Sequence, residues 1–170
     1  LVANNYGDYC GGVSCQSASA FWMENCLIRH NEGRYRSAGV RIESVANATI
    51  LHCTITENHI EEGRYGAGLC VVNNPKMVWL KNCILSGNSC RGTRDKETQI
   101  YWSGDRYADY CCIEGWDGKW AGVGSFGTDP LLTRDARLRP DSPCIDAGDP
   151  DVGDAQTMRD VDGEARLSGA

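Results

Sequence analysis

The side chains best equipped for chemistry are charged, and they come twice. "NEGRYRSAG" supplies Glu32, Arg34 and Tyr35, and "IEEGRYGAG" supplies Glu62, Arg64 and Tyr65 thirty residues later. Carboxylates on successive turns are the raw material of glycan hydrolysis, which needs two of them placed on either side of one bond. The same residues also make an ordinary solvated turn whose charges pair between repeats. A second set is Trp22 and Trp79, whose indoles can stack on sugar rings or bury against another chain. The third is acidic. Asp146, Asp149, Asp151, Asp154, Asp160 and Asp162 fall within 17 residues among turn-forming glycines, a density of hard oxygen ligands that suits calcium, although no complete EF-hand loop is matched.

The elements that must position these groups announce themselves by repetition. "NCLIRHN", "HCTITEN" and "NCILSGN" each carry Cys second and Asn last, with Cys26, Cys53 and Cys83 separated by 27 and 30 residues and Asn31, Asn58 and Asn88 by the same intervals. Gly12, Gly39 and Gly68 keep nearly the same time, at 27 and 29. A fixed period of this size means a solenoid. Apolar residues alternate in twos, as in Val40 and Ile42 or Cys53 and Ile55, and β-branched residues are common, so the units are strands rather than helices. The expected fold is all-β: a right-handed parallel β-helix of about four coils over residues 1–120, followed by an irregular Gly-, Pro- and Asp-rich cap or tail over 121–170.

The parity of the repeat predicts its geometry. Met23, Ile50 and Leu80 stand three residues before the cysteines, so both can face inward only if the chain bends between them. Asn25, His52 and Asn82 occupy that point, and Asn and His are among the residues that tolerate the left-handed conformation such a bend requires. Coils in register lie about 4.8 Å apart, which makes Cys26, Cys53 and Cys83 one internal column, with Cys111 of "YCCIEG" as the fourth rung. "QIYW" is expected as a strand of the last coil. Trp22, Thr49 and Trp79 then point outward, with Leu27, Leu51 and Ile84 nearby. The tail, through Leu131, Leu132, Leu138 and Ile145, is expected to fold over this face; a neighbouring copy or a stacked sugar are the other occupants.

Ten cysteines suggest an oxidising compartment. Stacked parallel cysteines hold their Cβ vectors side by side, which opposes the disulfide dihedral, so the column is expected to stay as thiols. Cys10, Cys15, Cys70, Cys90, Cys112 and Cys144 remain possible disulfide partners, with no pairing singled out. Cys10 and Cys15 lack a second cluster at zinc-ligand spacing, and His30, His52 and His59 read as turn residues.

Charge and hydropathy remove whole classes of function. Residues 129–170 hold 10 of the 23 acidic and 5 of the 17 basic residues, so nearly all of the net charge of −6 sits there and the solenoid is close to neutral. No basic stripe exists to meet phosphates, and nucleic acid is not an expected partner. No apolar run approaches the roughly 18 residues of a membrane span. The chain opens at Leu1 almost directly on its first coil and is read as a piece of something longer.

The tail carries Asp129-Pro130-Leu131, then "SPCIDAG" at 142–148, then Asp160-Val161-Asp162-Gly163 with Arg166. With the coils of residues 10–115, these motifs resemble secreted bacterial proteins that combine pectin-lyase-like β-helix repeats with a C-terminal choice-of-anchor Q segment. The resemblance implies export, a secreted or cell-surface life, and no assigned reaction. Among the outward positions around the cysteine column no two acids stack. The reading is therefore a structural or binding solenoid of the cell exterior, partnered by neighbouring copies, a surface assembly or polysaccharide. The alternative is a carbohydrate-active enzyme, a lyase or glycosidase, whose site lies on coils outside this chain.

Overall fold

The structure is a computed structural model that describes residues 1–149 and 151, apart from 64–65, 74–76 and 104–106. Its strands form four parallel sheets, each wound from one segment of every coil, giving a β-solenoid of about four turns. In chain order, face one comprises Val2–Ala3, Leu27–Arg29, Thr54–Thr56, Ile84–Ser86 and Cys112–Ile113. Face two comprises Tyr6–Gly7, Glu32–Gly33, His59–Ile60 and Ser89–Cys90. Face three comprises Val13–Gln16, Val40–Glu43, Leu69–Val72 and Ile100–Trp102, the last being the strand expected at "QIYW". Face four comprises Ala20–Glu24, Asn47–Leu51, Met77–Lys81 and Tyr107–Asp109.

Every coil turns from face four to face one through the same device. Asn25, His52, Asn82 and Tyr110 adopt φ of 52°, 52°, 52° and 51°, the left-handed bend expected from the repeat's parity. The following cysteine then faces inward: Cys53, Cys83 and Cys111 are buried and Cys26, at the open end, is half-buried. Each thiol donates to the carbonyl two residues earlier, on Glu24 (3.2 Å), Leu51 (3.0 Å), Lys81 (3.1 Å) and Asp109 (3.2 Å). Cysteine recurs because it is small enough to stack every rung and still carries a weak donor for that carbonyl. Burial pushes the Cys83 thiol well above its ordinary value, and none of the ten cysteines is in a disulfide. Replacing Cys53 with Phe is expected to overpack the column and cost about 1–3 kcal/mol, read as a lower urea midpoint; wild-type stability would show spare room in the column.

The repeated asparagines form a second internal column on the corner between faces one and two. Asn5 Nδ2 donates to Asn31 Oδ1, Asn31 Nδ2 to Asn58 Oδ1 and Asn58 Nδ2 to Asn88 Oδ1, each at 2.9 Å. Each acceptor also takes the backbone N–H of the asparagine one coil below, at 3.0–3.1 Å. The column ends on Gln99, whose Oε1 accepts from Asn88 Nδ2 at 2.8 Å and from its backbone N–H at 3.0 Å. Gln99 reaches it from a single helical turn, Lys96–Gln99, closed by reciprocal bonds between Asp95 and Thr98. The period-matched glycines are part of the same arrangement. A Cβ on Gly68 would lie 2.5 Å from Gln99 O and 2.7 Å from Asn88 Nδ2, so any side chain there collides with the column.

The aliphatic core runs the length of the solenoid, from Met23 and Ile28 to Ile100 and Ile113. Its far end is closed by tryptophans: Trp102 packs edge-on to Trp120 at 5.8 Å, and Trp120 to Trp116 at 5.3 Å. Beyond them the chain lays down part of another rung, with Ala121 bridged in parallel to Tyr107 and Phe126 to Cys112. No helix among the described residues is long and apolar enough to cross a membrane.

Candidate functional site

Face four presents an aromatic column to solvent. Trp22, Thr49, Trp79 and Tyr107 are in register on successive strands, and the three rings are 64%, 51% and 40% exposed. Strand alternation that buries Met23, Ile50 and Leu80 turns these positions outward. At one rung per about 4.8 Å, Trp22 and Trp79 stand roughly 9–10 Å apart and Tyr107 follows directly on Trp79. Trp22 is oriented by a bond from Nε1 to Glu24 Oε2 of 3.2 Å, and Met77 lies exposed in the next column.

The described part of the tail does not cover the tryptophans. That part lies along face one: the Cys112 thiol donates to Thr128 O at 3.1 Å, Arg29 Nη1 to Arg134 O at 2.9 Å, and Leu132 bridges Leu138 in a tight return. Leu138 and Ile145 remain exposed rather than covering the tryptophans. The reason is where the last coil leaves off. The chain departs from the solenoid beside Cys112, on face one, and the half-buried outward residues Leu27, Thr54 and Ile84 of that face lie on its path.

The charged motif is assembled differently from its sequence spacing. Glu32 is in register with His59, not Glu62, because the strands of face two pair at the 27-residue interval and the extra residues of the next coil fall in the loop that follows. Glu62 instead meets Arg34, with Nε to Oε1 at 3.0 Å. Arg34 also lies over the Tyr35 ring at 4.8 Å, and Tyr9 stands against Tyr35 at 6.3 Å. This is a turn stitched by charges paired between rungs. Arg64 and Tyr65 lie outside the described residues.

Beside it the corner between faces one and two holds an open groove of about 510 Å³ lined by Asn4, His30, Glu32, Glu57, His59 and Arg134. His30 Nε2 pairs with Glu57 Oε2 at 3.1 Å, and His59 Nδ1 contacts Ser89 Oγ at 3.0 Å. His30 and His52 are bend residues, whereas His59 belongs to a strand. Two carboxylates and two imidazoles therefore line one groove, an arrangement absent from the sequence reading because they come from two different repeats.

Of the six acidic tail residues, Asp154, Asp160 and Asp162 lie outside the described residues. Asp149 is a docking residue. Its Oδ2 meets Lys81 Nζ at 2.6 Å, its Oδ1 accepts the Asp151 N–H at 2.9 Å, and its own N–H donates to Asn82 Oδ1 at 2.8 Å. The Lys81 bond holds its carboxyl below the usual range. Asp146 sits at a left-handed turn, φ 56°. Among the described residues no group of three or more His, Cys, Asp or Glu side chains is arranged to hold a metal ion.

Residues 1–115, which carry all the described strands, match the family described as the right-handed beta helix region. The chain belongs to that family. No curated protein and no solved structure shows significant similarity to it. As a β-helix it offers long flat columns of identical environment on each face, and the aromatic column of face four is one of them. Tyr107 extends that column beyond the two tryptophans. Its signal was in the sequence, four residues before Cys111, the same offset that places Trp22 and Trp79 before their cysteines.

Proposed function

We propose that this β-helix is a binding solenoid of the cell exterior that lays the aromatic column of face four along a polysaccharide chain. The observation that carries the reading is the in-register exposure of Trp22, Trp79 and Tyr107 on a rigid sheet which the described tail leaves open. Strand register fixes the spacing of the three positions before binding, and the near-neutral solenoid suits a neutral glycan better than a polyanion. Export is supported by the likeness of the tail motifs to the choice-of-anchor Q segment of secreted bacterial proteins.

Affinity electrophoresis through gels containing neutral or acidic polysaccharides tests the idea. Retardation by at least one neutral glycan is expected, and Trp79→Ala should weaken it roughly tenfold, about 1.4 kcal/mol. Migration unchanged by every polysaccharide, with concentration-dependent shielding of the tryptophans from an aqueous quencher, would assign the column to contact between copies instead. The groove at His30, Glu32, Glu57 and His59 favours a second reading, glycan cleavage. Product release that survives Trp79→Ala and stops in Glu57→Gln would establish it.

A further inference from the structure

In a solenoid a residue that serves the fold recurs from rung to rung, as the inward cysteines and asparagines do. The outward column of face two behaves differently. Its members, Tyr6, Glu32, His59 and Ser89, are in register on successive strands, and no two are alike. Within it His59 Nδ1 lies 3.0 Å from Ser89 Oγ, the separation of a nucleophile from its general base. Each of the two follows a fully buried asparagine in the chain, Asn58 before His59 and Asn88 before Ser89. Asn88 Oδ1 accepts both the backbone N–H and the Nδ2 of Asn58, at 3.0 and 2.9 Å, and Gln99 Oε1 holds Asn88 from the other side at 2.8 and 3.0 Å. The distance between the two rungs is thereby fixed from inside the solenoid. Both outward side chains are partly exposed, so a substrate can reach the hydroxyl.

The geometry points to Ser89 and His59 as the nucleophile and general base of an ester-cleaving site at the edge of the groove that His59 lines. Glu32 stands one rung below His59 in the same column and lines the same groove. It is a positioning residue, whose negative charge stabilises the imidazolium formed when the hydroxyl gives up its proton. Arg134 is the permanent cation of the lining, the charge to which a developing oxyanion turns. The lining is polar throughout, Asn4, His30 and Glu57 completing it, and it offers no apolar wall to a long acyl chain. The substrate class is therefore a short-chain acyl ester of a hydrophilic alcohol, such as an O-acylated sugar. The site does not rest on what face four binds.

With Nδ1 unprotonated, His59 accepts the Ser89 proton as Oγ attacks the ester carbonyl carbon. The tetrahedral intermediate collapses by breaking the bond between that carbon and the alcohol oxygen. The proton passes from His59 to the departing oxygen, leaving a free alcohol and an acyl group on Ser89. Water, deprotonated by His59, then attacks the same carbonyl carbon. The second collapse breaks the bond to Ser89 Oγ, returns the proton to it and releases the carboxylic acid. The sum is ester plus water to acid plus alcohol, and a polysaccharide substrate keeps its chain length.

The test treats the full chain with a fluorophosphonate, which exchanges its fluoride for a serine Oγ, followed by trypsin digestion and mapping. The expected adduct lies on peptide 82–91, which carries Ser86 and Ser89, and fragmentation assigns it to Ser89. Turnover is followed with p-nitrophenyl acetate. Ser89→Ala should abolish the adduct and lower turnover by about a hundredfold or more, whereas Ser86→Ala should retain both. His59→Gln leaves the hydroxyl a hydrogen-bonding partner without a base and should slow both reactions by a similar factor. Glu32→Gln should lower kcat severalfold at unchanged KM, and a wild-type kcat there overturns its role. A wild-type chain with no adduct on Ser89 overturns the site whether or not any variant folds. An adduct that forms as fast in His59→Gln overturns the pairing, and glycan shortening without Ser89 labelling assigns the groove to glycan cleavage instead.

Discussion

Replacing Asn58 with leucine is expected to destabilise the fold by about 3–5 kcal/mol, measured as the loss of unfolding free energy in urea at constant slope. The size follows from the two-sided role of each amide. Asn58 Oδ1 accepts both the backbone N–H and the Nδ2 of Asn31, at 3.1 and 2.9 Å, and its Nδ2 donates to Asn88 Oδ1 and to Ile28 O at 2.9 and 3.1 Å. Asn31, Asn58 and Asn88 are all fully buried, so water cannot replace the lost partners. Leucine leaves two buried donors on Asn31 without an acceptor, each costing about 1–3 kcal/mol, and it returns some apolar burial in compensation. The same change at Asn5, which is itself exposed in the end rung and keeps its backbone N–H on Asn31 Oδ1, is expected to cost less than about 1 kcal/mol. Equal effects at the two positions would mean that the column is not stabilised by burial of its hydrogen bonds.

Truncating Trp102 to alanine is expected to cost about 3–5 kcal/mol, because it empties the last inward position of face three at the end of the core. Trp102 is 1% exposed and packs on Trp120, which is held in turn by Trp116 and by the Lys96 ammonium 5.7 Å from its ring. Lys96 is itself fixed to Asp117 at 2.7 Å, a bond that lowers the Asp117 carboxyl to about 2. A solenoid exposes its core wherever winding stops, and these three indoles supply the surface that the next coil would have covered. Trp102→Phe should be far milder, under about 1.5 kcal/mol, because the buried Trp102 Nε1 finds no hydrogen-bond partner among the described residues and phenylalanine removes that orphan with little loss of ring. A phenylalanine variant as damaged as the alanine one would show that the indole N–H is bonded after all.

These expectations rest on features of unequal visibility in the sequence. The Asn column was present as a period, Asn31, Asn58 and Asn88, but its bonding was not, and its last member, Gln99, stands outside the repeat altogether. Gln99 reaches the column because the short turn at Lys96–Gln99, which follows the face-two strand Ser89–Cys90, brings its side chain back over Asn88. The tryptophan closure was similarly hidden. Capping was expected from the tail after residue 121, whereas Trp116 and Trp120 close the core before it.

What the sequence determined by itself is whatever repeats. Each coil meets nearly the same environment as its neighbours, so a residue type needed once is needed every 27 to 30 positions. Spacing alone was enough to place the inward cysteines, the left-handed bends at Asn25, His52 and Asn82, and the outward turn of Trp22 and Trp79. Tertiary structure decided what happens once. Glu32 stacks on His59 because strand pairing precedes a loop insertion, the described tail runs along face one because the winding ends there, and Cys112 is buried against Thr128 because that path crosses it. Such contacts join segments of unrelated local pattern, and only the course of the folded chain brings them within bonding distance.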